Sequence, residues 1–280
     1  MLGVPKSAKP TFITKLAGMP IVHKAIKALR LQQMAKTALG VVPLRRKLKN
    51  SGCEYRVKHL ESLLMADEIF SRKIYSEAFE DKDVRTFVDL GANVGYFTLY
   101  AAEHTGRRDL VGLAVDANES CTNEVSWHVK HNGLRGTKVM TGVAGYPPGV
   151  TTATFFVNPS NVASSAQPEL NPDVPSKGES TAITMPAIDV AAEWKKISDG
   201  KRIDVLKVDV EGFECDLIKN STELLSLTDR LVLEWHKWVT SLDEIDGLLE
   251  ARGFKRHTII SEDPHCGVAI YDRASHGAAS

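Results

Sequence analysis

The chain has 280 residues with 35 Lys/Arg against 35 Asp/Glu, 43% apolar residues and four scattered cysteines. That length supports a full core of one large domain with an appendage, and the balance argues against a disordered or collagen-like chain. Cys53, Cys121, Cys215 and Cys266 form no CxxC pair, so neither a zinc cluster nor a disulfide framework is indicated, and a reducing, cytoplasmic setting is expected.

The charge is unevenly spread. Residues 1–50 carry eleven Lys/Arg and no Asp/Glu, leaving the remainder at a net minus eleven. Prolines at 5, 10 and 20 punctuate a loosely held tail, and Val22, Ala25, Ile26 and Leu29 then fall on one face of a basic amphipathic helix over 21–39. Such a helix could lie against an anionic membrane surface, making the chain peripheral to it, or be only a solvated appendage. No apolar run reaches the roughly 18 residues of a membrane span. A break at Pro43 and the cluster 45–49 is followed by a second helix from about Leu60 to Phe70, expected to bury Leu60, Leu63, Leu64 and Ile69. Residues 1–83 thus read as a basic helical cap ahead of a domain over 84–280.

Thr86 to Ala102 (TFVDLGANVGYFTLYAA) reads as buried strand, glycine turn and helix. Gly91 should let the backbone turn and approach a ligand, and Gly95 should let helix and strand pack closely. Asp89 at the strand end, beside free N–H groups of a helix start, suits a zwitterion such as the amino-acid end of S-adenosylmethionine better than a pyrophosphate. A second strand over 109–115 is closed by Asp116, just over twenty residues beyond the turn, where doubly wound folds hold a ribose diol. After a helix over 121–132, a third strand over 138–143 brings Gly142, Val143 and Ala144 to the expected adenine position. Short β runs at 151–157 and 181–186 flank a Pro- and Ser-rich stretch over 158–180, a candidate lid. A short helix over 187–194 precedes the buried strand 203–208, which ends in Asp209 and leads into Val210, Glu211 and Gly212. A helix over 213–220 and a strand over 230–233 closed by Glu234, Trp235 and His236 follow. A helix over 242–251 and an antiparallel pair, 254–260 with 267–271, complete an open, mainly parallel sheet.

Asp89, Asp116, Asp209 and Glu234 each close a strand and should converge on one crevice. Among the acids nearby, Glu211 joins Asp209, Glu234 and His236 as candidates for removing a proton from an acceptor hydroxyl. His236 is the favoured base because an unperturbed imidazole titrates near neutral pH. Asp209 and Glu234 could instead bracket a divalent cation, although no dedicated metal ligands stand out. Lys207 is expected to point away from Asp209 and to be structural.

VDLGANVGYFT at 88–98, LKVDVEGFE at 206–214 and LEWH at 233–236 resemble the signatures of the FkbM family of S-adenosylmethionine-dependent methyltransferases, over roughly residues 84–272. Where that family commonly has Glu-Pro-Asn-Pro after its second strand, this chain has Asp116-Ala117-Asn118-Glu119. The resemblance implies a Rossmann-like class I methyltransferase sheet, mainly parallel with an antiparallel C-terminal strand. It implies S-adenosylmethionine held along Asp89, Gly91, Asn93 and Gly95, with Asp116 on the ribose. It also implies O-methylation of a hydroxyl on a sugar, glycolipid or polyketide-type small molecule, and no nucleic-acid partner. A non-catalytic cofactor-binding or membrane-docking module is the competing reading; a dinucleotide dehydrogenase is disfavoured by the incomplete GxGxxG pattern.

Overall fold

The computed structural model describes residues 42–157 and 181–274. The expected basic helix over 21–39 and the candidate lid over 158–180 lie outside the described residues. Residues 42–45 and 56–64 fall in one compact unit, and 46–55 with 65–274 in the other, so the segment 65–83 belongs to the same unit as the sheet.

The first strands among the described residues, β1 (Leu44–Lys47) and β2 (Glu54–Val57), pair in a ribbon of their own. The helix α1 (Leu60–Ala66) passes directly into a wider π turn over Asp67–Ser71, and a single turn α2 (Ser76–Phe79) follows. Helical periodicity overstated the buried face of α1, since Leu63 and Leu64 are exposed, whereas Ile69 is buried as expected, and so are Tyr75 and Phe79 beyond it.

Seven strands form the central sheet in the order β10-β11-β9-β8-β3-β4-β5. They are β3 (Thr86–Leu90), β4 (Val111–Asp116), β5 (Thr137–Thr141), β8 (Ile203–Val208), β9 (Thr228–His236), β10 (Phe254–Glu262) and β11 (Cys266–Arg273). The strands from β9 to β5 are mutually parallel, while β11 runs antiparallel between β9 and β10. All five residues of β3 are buried, as expected of a central parallel strand covered on both faces. Its neighbour β8 is locked to it at the start: Asp204 accepts the N–H groups of Arg85 and Thr86 at 2.7 and 2.9 Å, and Thr86 Oγ1 donates to the Arg202 carbonyl.

Around the sheet pack α3 (Tyr96–Thr105), α4 (Glu119–His131), α5 (Val190–Ser198), α6 (Glu214–Asn220), α7 (Thr222–Leu227) and α8 (Leu242–Glu250). Cap chemistry sets two of the starts. Asp189 accepts from the N–H of Ala192, so α5 begins three residues later than apolar spacing suggests, and Ser241 accepts from Glu244 to start α8. Strands β6 (Thr152–Val157) and β7 (Thr181–Pro186) form a separate antiparallel ribbon.

From within β9 the buried Arg230 ties α2 to the sheet. Its guanidinium is bidentate to Asp272 at 2.7 and 2.9 Å and also donates to the carbonyls of Glu77 and Glu80. Removing one member of such a pair strands the other groups without partners, at a cost of about 3 kcal/mol. Arg230→Met should therefore lower unfolding stability by that order; an unchanged urea midpoint would show that the clamp contributes nothing.

Candidate functional site

Strand order reverses its direction of growth between β3 and β8: the chain runs outward through β4 and β5, then returns to lay β8 and β9 on the other side. Crevices in open α/β sheets form at that point. Here the turn after β3 holds three residues in the left-handed region, Gly91 at φ 69°, Asn93 at 46° and Gly95 at 83°. The first three N–H groups of the turn are engaged within the protein. Those of Gly91 and Ala92 both donate to the Val115 carbonyl, and that of Asn93 donates to Asp116 Oδ2 at 2.7 Å.

Gly91 turns the backbone and reaches the cavity wall as expected, but each glycine also makes a close contact that was not anticipated. A Cβ on Gly91 would lie 1.7 Å from the carbonyl oxygen of Asp209, so this glycine exists to let the ends of β3 and β8 touch. A Cβ on Gly95 would meet Val125 at 3.1 Å, so it brings the start of α3 against α4, not against a strand.

A cavity opens over these strand ends, with Gly91, Asn93, Asp116 and Ala144 in its wall and the half-stacked rings of Tyr146 and Phe213, 4.9 Å apart, closing one side. Burial pushes the Asp116 carboxyl up to about 6, against the pull of the N–H groups of Asn118 and Asn93 on its two oxygens. Asp89 does not line this cavity. It lies wholly buried behind it, accepts from Thr98 Oγ1 at 2.9 Å, and leaves Oδ1 with no hydrogen-bond partner. Burial raises its pKa, with the Lys207 charge and the Thr98 hydroxyl opposing.

Lys207 reverses the expectation set for it. Residues two apart on a strand share a face, so its ammonium reaches Asp209 Oδ2 at 3.2 Å, the Gly91 carbonyl at 2.7 Å and Asp89 Oδ1 at 3.6 Å. Burial disfavours this charge, but Asp209 and Asp89 outweigh it and hold the pKa above its ordinary value.

Asp209 and Glu211 also carry the cavity wall into a second group of charges. His236 ends β9, whose parallel neighbour β8 ends just before Asp209. Its Nδ1 lies 2.9 Å from Glu214 Oε1, and its Nε2 lies 3.4 Å from Glu211 and 4.0 Å from Glu234. Burial lowers the imidazole pKa, yet the Glu214 hydrogen bond and the charges of Glu214, Glu211 and Asp209 push it up to about 10. His236 is thus a cation at neutral pH and not the freely titrating imidazole that its position alone suggested. Desolvation and the neighbouring Asp209 charge raise Glu234 to about 7 and hold Glu211 well above the usual carboxylate range. Glu211 sits at φ 50° and Gly212 at 94°; a Cβ on Gly212 would be 2.4 Å from the ring of Trp238, which pins the 209–212 loop. Asp209, Glu234 and His236 each present one donor atom within 4.8 Å of the others, close enough to hold a cation.

The family model described as "Methyltransferase FkbM domain" matches residues 89–256, which hold the glycine turn, the cavity and the acidic cluster. The chain belongs to the FkbM methyltransferase family. It is 29% identical over 222 residues to "Methyltransferase sdnD" of Sordaria araneosa, covering 71% of this chain and 85% of that protein. It is 27% identical over 207 residues to "Methyltransferase 1" of Beauveria bassiana, covering 70% and 82%. Among solved structures it resembles a SAM-dependent methyltransferase from Aquifex aeolicus (13% identity, 76% of this chain and 96% of that one, TM-score 0.45). It also resembles magnesium protoporphyrin IX methyltransferase from Synechocystis with bound S-adenosylhomocysteine (13% identity, 76% and 84%, TM-score 0.45).

The cofactor of this FkbM methyltransferase is S-adenosylmethionine, and the chain's own residues fit it. Asp116 keeps acceptor capacity for a diol and Tyr146 with Phe213 offers an aromatic wall to a purine, whereas Asp89, expected at the amino-acid end, faces the Lys207 ammonium from outside the cavity. Sequence reasoning found Gly91, Asn93, Asp116 and Ala144 but missed Tyr146, Phe213 and Glu214. Of these, Glu214 stood inside the LKVDVEGFE motif and was passed over. Gly91→Ala should destabilise the fold by at least about 2 kcal/mol through overpacking and a disfavoured φ. It should also weaken S-adenosylhomocysteine binding measured by calorimetry; wild-type stability and affinity together would refute the tight β3–β8 contact.

Proposed function

We propose that the chain is an O-methyltransferase acting on a hydroxyl of a sugar, glycolipid or polyketide-type small molecule. The observation that carries this reading is that Asp209 and Glu211 belong at once to the cofactor cavity and to the carboxylate–imidazole cluster. A proton acceptor therefore stands beside the place where a methyl group is presented. When bound, S-adenosylmethionine supplies a methyl on a sulfonium, whose sulfur leaves as a neutral thioether.

The residues of this chain then have two tasks. Asn93, Asp116 and the Tyr146–Phe213 wall hold the donor, with the Lys207 ammonium, itself held between Asp89 and Asp209, fixing the backbone of Gly91. Asp209, Glu211, Glu234 and His236 hold the acceptor hydroxyl, and a carboxylate of this cluster takes its proton as the new C–O bond forms, so the product is a methyl ether. Alignment of the oxygen and removal of its proton are the contributions an enzyme makes to this transfer. Because His236 is cationic in the resting cluster, its first contribution is to orient the carboxylates and donate to them, with Glu211 and Glu234 as acceptors of the proton.

His236→Ala should lower turnover with a hydroxyl-bearing acceptor panel by about 10²- to 10⁴-fold while leaving S-adenosylhomocysteine affinity within a few-fold. Equal loss of both would mean that His236 serves the fold alone.

Among the described residues no helix is long and apolar enough to cross a membrane. The acid-free, basic stretch of residues 1–50 supports peripheral docking on anionic lipid. Co-sedimentation with phosphatidylserine vesicles should be seen at low salt and fade as the screening length falls below about 8 Å; no binding at low salt would remove this part of the reading.

A further inference from the structure

Beside the cofactor cavity, three side chains from neighbouring strands converge without an evident need for one another in holding the fold. Asp209 follows β8, and Glu234 and His236, two apart on β9, share one face of it. Their donor atoms, one carboxylate oxygen from each acid and one ring nitrogen, all lie within 4.8 Å of one another. Ligands to a single divalent cation at about 2.0–2.3 Å stand no more than roughly 4.6 Å apart, so small side-chain adjustments close the set.

The surroundings of His236 match that role. Nδ1 is engaged by Glu214 Oε1 at 2.9 Å, which directs Nε2 at the carboxylates, and a cation bound there would displace the Nε2 proton of the resting imidazolium. Glu214 is wholly buried; its Oε1 meets the His236 ring and also accepts the Gly212 N–H at 2.9 Å, and its Oε2 has no hydrogen-bond partner. A carboxylate behind a ligating histidine fixes the ring and raises its basicity, and such outer partners matter to affinity almost as much as the ligands. Charge points the same way. Asp209, Glu211, Glu214 and Glu234 are gathered around two cationic side chains, Lys207 and His236, and Lys207 is already shared with Asp89.

We propose that Asp209, Glu234 and His236 bind one divalent cation of the Mn²⁺ or Mg²⁺ class, oriented through Glu214. Two carboxylates with one imidazole suit such an ion better than a thiolate-seeking one. At this place the cation would draw the acceptor oxygen to the cavity mouth and lower the pKa of its hydroxyl, leaving Glu211 to take the proton. The ion's part in the reaction rests on the O-methyltransfer reading; its binding does not.

The test is calorimetric titration of the full-length chain with Mn²⁺, with Mg²⁺ in competition. One Mn²⁺ per chain is expected. Glu234→Gln should abolish it, and Glu214→Gln, which touches no ion, should weaken it about 10- to 100-fold. Binding of S-adenosylhomocysteine by both variants confirms that they are folded. A chain that binds S-adenosylhomocysteine but takes up no Mn²⁺, or a Glu234→Gln variant that binds Mn²⁺ as well as the parent, overturns the site. Full turnover in EDTA without Mn²⁺ uptake overturns it too and leaves the methyltransfer reading standing. Mn²⁺ uptake with no turnover on any hydroxyl acceptor supports the site and sinks the reaction instead.

Discussion

A single buried ammonium holds the centre of this molecule together. Lys207 lies at the carboxyl end of β8, where β3 and β8 part to send their chains in opposite directions, and it is bonded to the backbone of one strand and the carboxylate following the other. Burying a charge costs several kcal/mol unless partners repay it. Here two carboxylates and a carbonyl do so, and Asp89, with no solvent of its own, depends on the same ammonium in return. The crevice floor is therefore electrostatically closed, and both the glycine turn and the Asp209 loop take their positions from it.

That floor explains why two functions can share so small a space. One side of the crevice, made by β3, β4 and β5, presents Asn93, Asp116 and Ala144 and suits a nucleoside. The other, made by β8 and β9, presents acids and an imidazole whose ionisation is mutually dependent: the charges of Glu214, Glu211 and Asp209 hold the proton on His236 against its burial, and burial together with the Asp209 charge makes Glu234 and Glu211 hold protons more tightly. Insertion of β11 beside β9 secures the second side, pairing Val268 with Glu234 and Cys266 with His236 so that the strand carrying them is not an edge.

The central strands were plain in the sequence because burial on both faces leaves continuous apolar runs; β3 and β8 have the ends that such runs indicate. Asp116 and Asp209 at the strand ends were likewise legible as crevice residues, whereas Asp89, expected beside them, is drawn behind the cavity to the Lys207 ammonium. Roles that depend on a third partner were not. Nothing local tells that Gly91 answers to the Asp209 carbonyl or Gly95 to Val125, or that His236 is charged by a glutamate 22 residues away. The ribbon of β1 and β2 hid inside a run of basic residues, and α7 inside a six-residue stretch too short for periodicity to show. Leu63 and Leu64 misled because an apolar stripe records what a helix can bury, not what is available to cover it.

The contact between Gly212 and Trp238 carries a consequence for how sequences of this kind can diverge. The loop bearing Asp209 and Glu211 has no slack: the residue at 212 must accept a left-handed backbone, and the indole behind it leaves no volume for even a methyl group. Changing either residue alone is penalised, and enlarging 212 first is penalised twice. Drift at this corner is therefore ordered in time. Both Trp238 and Val239 must give way before the glycine can grow, and until then the spacing between the two acids and the imidazole stays fixed.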